Sequence, residues 1–135
     1  MKNCKKMDIL GINKELIERL FEQAKVSPRL RMNYDLRTSS ADTSQRMLNA
    51  LLPGTEVPIH RHETTSETVL CLCGKLEEMI YEEMADGSFK EVSRHLLCPA
   101  EECYGIQIPA GAWHTIQVLE PSVIFEAKDG AFVSR

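Results

Sequence analysis

No run of apolar residues in this 135-residue chain is long enough to cross a bilayer as a helix. The N-terminal stretch MKNCKKMDIL carries basic residues but no apolar core of the kind a secretory signal requires. There is also no excess of positive charge. Sixteen Lys and Arg stand against twenty Asp and Glu, a net charge of −4. That balance argues against a nucleic-acid partner, which needs a basic face, and against an anionic membrane surface. Repeats and low-complexity segments are absent, and with 43% hydrophobic and 27% charged residues the composition is that of a globular protein. These absences leave a cytoplasmic, single-domain globular protein (residues 1–135) as the expectation. The five cysteines, Cys4, Cys71, Cys73, Cys98 and Cys103, are odd in number. In a reducing compartment they are expected to be free thiols.

One helix is expected, over residues 13–26. Asn13 is its N-cap and Glu15 complements the dipole in the first turn. Leu16, Ile17, Leu20, Phe21 and Ala24 form an apolar stripe suited to packing on the outside of a sheet. From residue 29 to 37 the period changes to two. Leu30, Met32, Tyr34 and Leu36 alternate with a polar face that includes Arg29 and Arg31, whose default reading is solvated. Further strands are expected over 46–52, 68–73, 75–83, 89–94, 105–109, 115–119 and 123–128. Gly74, Asp86-Gly87 and Glu120-Pro121-Ser122 separate neighbouring members of this series. Many short strands with regular turn signals imply a sandwich or barrel.

The chemistry concentrates in Gly54-TEVPI-His60-R-His62-ETTS-Glu67-TVLCLC-Gly74. On a strand, residues two apart point to one side with Cα atoms roughly 6.6 Å apart. His60 and His62 can then converge on one ion at about 2.1 Å each. Glu67 follows a short polar turn, which places it on a neighbouring antiparallel strand, in reach of the same point. His114, presented by the turn Pro109-AGAW, is the best candidate for a fourth ligand.

At this point the residues resemble a family. Gly54-x5-His60-x-His62-x4-Glu67-x6-Gly74 resembles the first cupin motif, and Pro109-x-Gly111-x2-His114 resembles the core of the second. Two positions depart from the family's pattern: Cys103, with Gly105 nearby, stands for an upstream glycine, and Val118 for an asparagine after the histidine. The resemblance covers roughly residues 46–128. It implies an all-β fold, the double-stranded β-helix or jelly-roll barrel, preceded by the one N-terminal helix. It also implies that His60, His62, Glu67 and His114 hold one divalent metal per chain (Zn, Fe, Mn or Ni) in the barrel mouth, leaving two coordination positions open. A narrower resemblance, through Ser27-PRLRMN, Gln45-RMLNAL, His60-RHETTSETV and Phe125-EAKDG, is to small WbuC-type cupin-fold metalloproteins, whose genes tend to lie among those for bacterial surface polysaccharides.

Around that site, Tyr104, Gln107, Glu126, Arg46, Arg29 and Arg31 are candidates for ligand binding or proton transfer. Cys71 and Cys73 share the inward parity of Glu67 and read as inert barrel wall. Cys98 and Cys103 flank a loop in which a regulatory disulfide is the minor reading. His95 reads as a residue at a strand end or in a loop, and Trp113 as packing. The expected function is a metal-dependent enzyme of isomerase or epimerase type acting on a small polar molecule, such as a sugar or sugar nucleotide. An Fe(II)-dependent dioxygenase, a non-catalytic binding module and a motif kept only for structure are the alternatives. A homodimer is expected, since open barrel edges and the 29–37 strand need cover.

Overall fold

In the computed structural model, residues 8–130 are described. Cys4 lies outside them. The helix α1 spans Lys14–Lys25, with the Asn13 side chain accepting from the Leu16 amide at 3.0 Å. Six strands follow: β1 Arg31–Asp35, β2 Ser44–Leu51, β3 Glu67–Glu83, β4 Phe89–Leu97, β5 Gly105–Ile108 and β6 Trp113–Asp129. All pairings are antiparallel, in the order β1-β2-β6-β3-β4, with β5 added to the start of β3.

Two of these strands are longer than their turn signals suggested. β3 runs 17 residues straight through Gly74, and β6 runs 17 residues through Glu120-Pro121-Ser122. The reason is a cluster of bulges where the two strands face each other. Pairing shifts between Cys71 and Cys73, between Cys73 and Lys75, and between Lys75 and Leu76. At such a bulge a proline needs no ladder partner for its missing N–H. Ser122 repairs the gap: its hydroxyl accepts from the Lys75 amide at 2.9 Å and donates to the Glu120 carbonyl at 2.7 Å.

The bulges bend the β3–β6 ribbon so that its two halves face each other. Val69 and Cys71 from the first half of β3 share one core with Leu76 from the second half, and with Leu51, Leu97, Ile108, Val118 and Ile124. A second core lies outside this barrel. There Leu16, Leu20 and Ala24 of α1 cover Leu48, Ala50 and Val123. The helix therefore packs on the outer face of the sheet, as its stripe implied.

The extra residue at the first bulge also changes parity. Cys71 faces the barrel core, but Cys73 packs with the helix-side cluster, so the expectation that both point inward holds for Cys71 alone. Burial pushes the Cys71 thiol up to about 11, consistent with an inert wall residue.

The polar face of β1 also departs from its default reading. Met32, Tyr34 and Leu36 meet the helix-side core, so the opposite face turns into the barrel. Arg29, Arg31 and Asn33 line its cavity instead of a solvated surface.

Candidate metal centre

The histidine segment is not a regular strand. His60 is joined to His114 by an isolated bridge, with backbone hydrogen bonds of 3.0 Å from the His60 amide and 2.8 Å from the His114 amide. This pins the irregular stretch before β3 to the first residues of β6. It brings together two histidines separated by more than fifty residues of chain.

His60, His62 and His114 each offer a ring nitrogen, and these atoms all lie within 4.8 Å of one another. Backbone carbonyls orient two of the rings. His60 Nδ1 lies 2.8 Å from the Pro58 carbonyl, and His114 Nδ1 lies 2.9 Å from the Ala112 carbonyl. A carbonyl oxygen only accepts, so in both rings Nδ1 carries the proton. In the neutral imidazole the Nε2 lone pair is then left for a cation, an arrangement common behind metal-ligating histidines. His62 Nε2 is buried and has no hydrogen-bond partner. A buried nitrogen left without a partner fits a site built for an ion.

Glu67, 4% exposed at the start of β3, points to the same place. Its Oε1 lies 3.5 Å from His114 Nε2 and 3.7 Å from His62 Nε2. Burial opposes its ionisation. Without a metal, His114 and His62 in their protonated form face it with Nε2–H, outweigh burial and hold the carboxyl well below the usual carboxylate range. Three neutral imidazoles and one carboxylate make a donor set suited to Zn, Fe, Ni or Mn, so these residues fit a divalent ion.

The centre opens into a cavity of about 640 Å³. Of the other residues singled out in the sequence, Arg29, Arg31 and Glu126 line it. The Glu126 carboxylate accepts from Asn49 Nδ2 at 3.4 Å, and Arg31 donates to the Glu56 carbonyl at 2.8 Å. Tyr104, Gln107 and Arg46 do not line it. Tyr104 is 59% exposed ahead of β5. Gln107 is tied on the outer face to Thr68 and Ser66. Arg46 has the opposite parity to Gln45 and Met47, and pairs with Asp42 at 3.0 Å. Trp113 packs on Phe89 and under the Arg61 guanidinium, while His95 is exposed beside Ser93. Cys98 and Cys103 are free thiols on directly bridged residues.

Sequence reasoning passed over Glu78. It is 2% exposed, lines the cavity and has an Oε1 without a partner. The signal available was a charged residue two positions after Leu76, on the same face of the strand as that buried leucine. Burial pushes its carboxyl well above the ordinary range, and the charges of Glu126 and Glu67 push the same way. The folded state thus keeps a proton that the unfolded chain gives up near 4.5. Stability from this group is complete below that value and is lost as pH rises through the folded pKa. In metal-free protein, Glu78→Gln is expected to raise stability at about pH 8 by on the order of 1–3 kcal/mol. The gain should fade toward about pH 4.5, near the unfolded carboxyl value. Melts in matched buffers test this, and parallel pH curves for the two proteins would contradict it.

The bent antiparallel barrel, with three imidazoles and a carboxylate gathered at its cavity, is the architecture of a cupin jelly roll, and the centre fits a metal-binding cupin. Residues 12–94 match the model of a family described as a domain of unknown function (DUF6016), and the chain belongs to that family. No curated protein matches the sequence.

Solved structures share the fold. The capsular polysaccharide assembling protein CapF from Staphylococcus aureus superposes with a TM-score of 0.62 at 20% identity, over 80% of this chain. This chain spans only 30% of that protein's length. A conserved protein of unknown function from Streptococcus pyogenes gives 0.60 at 15% identity, over 98% of this chain and 95% of that one. Oxalate oxidase in complex with the substrate analogue glycolate gives 0.58 at 16% identity, over 78% and 53%. None of the described helices is long and apolar enough to cross a membrane.

Proposed function

We propose that this protein is a metal-dependent enzyme of isomerase or epimerase type, acting on a small polar molecule such as a sugar or sugar nucleotide. The observation that carries the reading is the convergence of His60, His62 and His114 with the Glu67 carboxylate at one end of an open cavity. In this reading the four are the ligands of one divalent ion. When bound, the ion supplies Lewis acidity to a substrate oxygen. The Pro58 and Ala112 carbonyls hold two of the rings in the ligating tautomer. In this reading Glu126, which lines the cavity and accepts from Asn49, takes a proton from substrate carbon and returns it. A setting in bacterial surface polysaccharide metabolism is part of the proposal. It draws support from the fold shared with a capsular polysaccharide assembling protein and from the WbuC-type sequence likeness.

The test is proton exchange. Metal-loaded protein is incubated with a panel of sugar nucleotides in deuterated water and followed by NMR. Deuterium is expected at a sugar carbon, and Glu126→Gln is expected to slow its incorporation by about 10²–10⁴-fold, the range of general acid–base contributions. An absence of exchange across the panel removes the isomerase reading. One rival is an Fe(II)-dependent oxygenase, because the same three imidazoles and carboxylate suit Fe(II) with open positions. Oxygen uptake coupled to turnover of the iron-loaded protein would establish that rival in its place.

A further inference from the structure

A polar wall lines the same cavity without belonging to the metal centre. Asn33 of β1 and Asn49 of β2 are direct cross-strand partners. Gln45 lies on the same face of β2, four residues before Asn49, and all three line the cavity. Glu78, from the second half of β3, lines it too. Asn33 Oδ1, Gln45 Oε1, Asn49 Oδ1 and Glu78 Oε1 are all buried and have no hydrogen-bond partner. Gln45 and Glu78 are 4% and 2% exposed. The Asn49 amide is oriented, because its Nδ2 donates to Glu126 at 3.4 Å and so leaves Oδ1 as the unmatched acceptor.

Buried polar atoms in folded proteins are ordinarily paired, and groups left unpaired on a cavity wall ask for a ligand that supplies the missing half. Here the missing half is donors. An anion supplies none to the three amide oxygens, and it would also meet the carboxyl groups of Glu67 and Glu126. A ring bearing several hydroxyls supplies donors at the spacing of neighbouring side chains. Arg29, Arg31 and Lys128 line the same cavity and are suited to an anionic tail carried by such a ring.

We propose that Asn33, Gln45, Asn49 and Glu78 form a hydroxyl-recognition subsite that selects a polyhydroxylated, sugar-like ring beside the metal centre and rejects small carboxylate anions. The inference rests on the small-polar-substrate reading above and narrows it to a ligand class. The ring arrives either as a free sugar or as the sugar end of a phosphorylated or nucleotide-linked one.

Metal-loaded full-length protein is titrated calorimetrically with glucose, glucose 1-phosphate, UDP-glucose and oxalate. The variants are Gln45→Met and Asn33→Leu, and metal content is measured for each. Saturable binding of at least one hydroxylated probe is expected at concentrations up to about 10 mM. Each variant should weaken it about tenfold with metal content unchanged, in line with the loss of one ligand hydrogen bond. Preference for the phosphorylated probes over glucose assigns the tail to the arginines, and equal binding assigns the free ring as sufficient.

Each variant should also melt at a higher temperature than wild type when unliganded, because it removes an unpaired buried oxygen. A polar residue that only supports the fold would give the opposite shift. Unchanged affinity in both variants, oxalate binding tighter than every hydroxylated probe, or no saturable hydroxylated probe would each overturn the subsite. Repeating the titration on chelator-treated protein separates the two readings. A chain that takes up no metal when it is supplied, yet binds sugar through Gln45 and Asn33, fails the metalloenzyme proposal and keeps the subsite.

Discussion

His114→Ala is expected to abolish stoichiometric metal binding while leaving the barrel folded. The imidazole contributes an Nε2 whose partner nitrogen is already committed to the Ala112 carbonyl, so no other atom of the segment can replace it. The fold has less at stake. The bridge to His60 is made by backbone groups at 2.8 and 3.0 Å and survives loss of the side chain. Replacing groups that merely orient a ligand costs roughly 10–100-fold in metal affinity, so removing the ligand itself should cost about 100-fold or more. Elemental analysis after dialysis, together with chelator competition, reads the change directly. Untagged protein is required, because an affinity tag would add histidines. A variant that keeps the wild-type metal content would show that the cluster of His60, His62 and His114 is not where the metal sits.

Gly74→Ala is expected to destabilise the protein by about 3 kcal/mol or more. Gly74 has φ of +96°, a conformation that costs a side-chain-bearing residue on the order of 1–3 kcal/mol. A second cost adds to it. A Cβ at this position would land on the Pro121 carbonyl and on Ser122, which are backbone and an already bonded hydroxyl at the bulge. Neither can yield without breaking the bond from the Lys75 amide that repairs the β3–β6 ladder. Gly87, with φ of +85° in the β3–β4 turn, is the control, because nothing lies within 4 Å of the Cβ it would gain. Gly87→Ala should therefore cost only the backbone conformation, about 1–2 kcal/mol. Denaturant melts of both variants test the comparison. Equal losses would mean that close approach at the bulge contributes nothing.

This glycine shows how legibility divides along the chain. Its place at the end of the first motif was plain in the sequence, where it read as a strand boundary. In the structure it is an interior residue of β3, because a bulge accommodates a bend without ending the strand. Pro121 misled in the same way. Turn residues mark where a chain departs from regular pairing, and a bulge departs from it as surely as a turn does. The histidines were legible for a different reason. Their spacing encodes chemistry, and the segment presents them correctly even though it is pinned by a single bridge and not by a regular strand.

The remaining residues of the cavity were not legible, because alternation tells which side chains share a face and leaves open where that face looks. Arg31 and Asn33 lie on the polar face of β1, with Arg29 just ahead of the strand, and polarity suggested solvent. Helix α1 covers the opposite face and so turns them inward. Tyr104 and Gln107 were nominated by proximity to the second motif and Arg46 on the condition that its strand faces inward, yet Tyr104 is exposed ahead of β5 and Gln107 and Arg46 are bonded outside the cavity. Glu78 drew no notice, and Gln45 only as the start of a resembling segment, since neither belongs to a ligand motif. The sequence by itself determined the helix, the antiparallel β class, the four residues of the candidate centre and the class of ion they suit, because these follow from periodicity, capping and ligand chemistry. Only the tertiary structure decided what else shares the cavity with them. That depends on which layer covers each face and on one extra residue at a bulge, and neither is a property of any local stretch of chain.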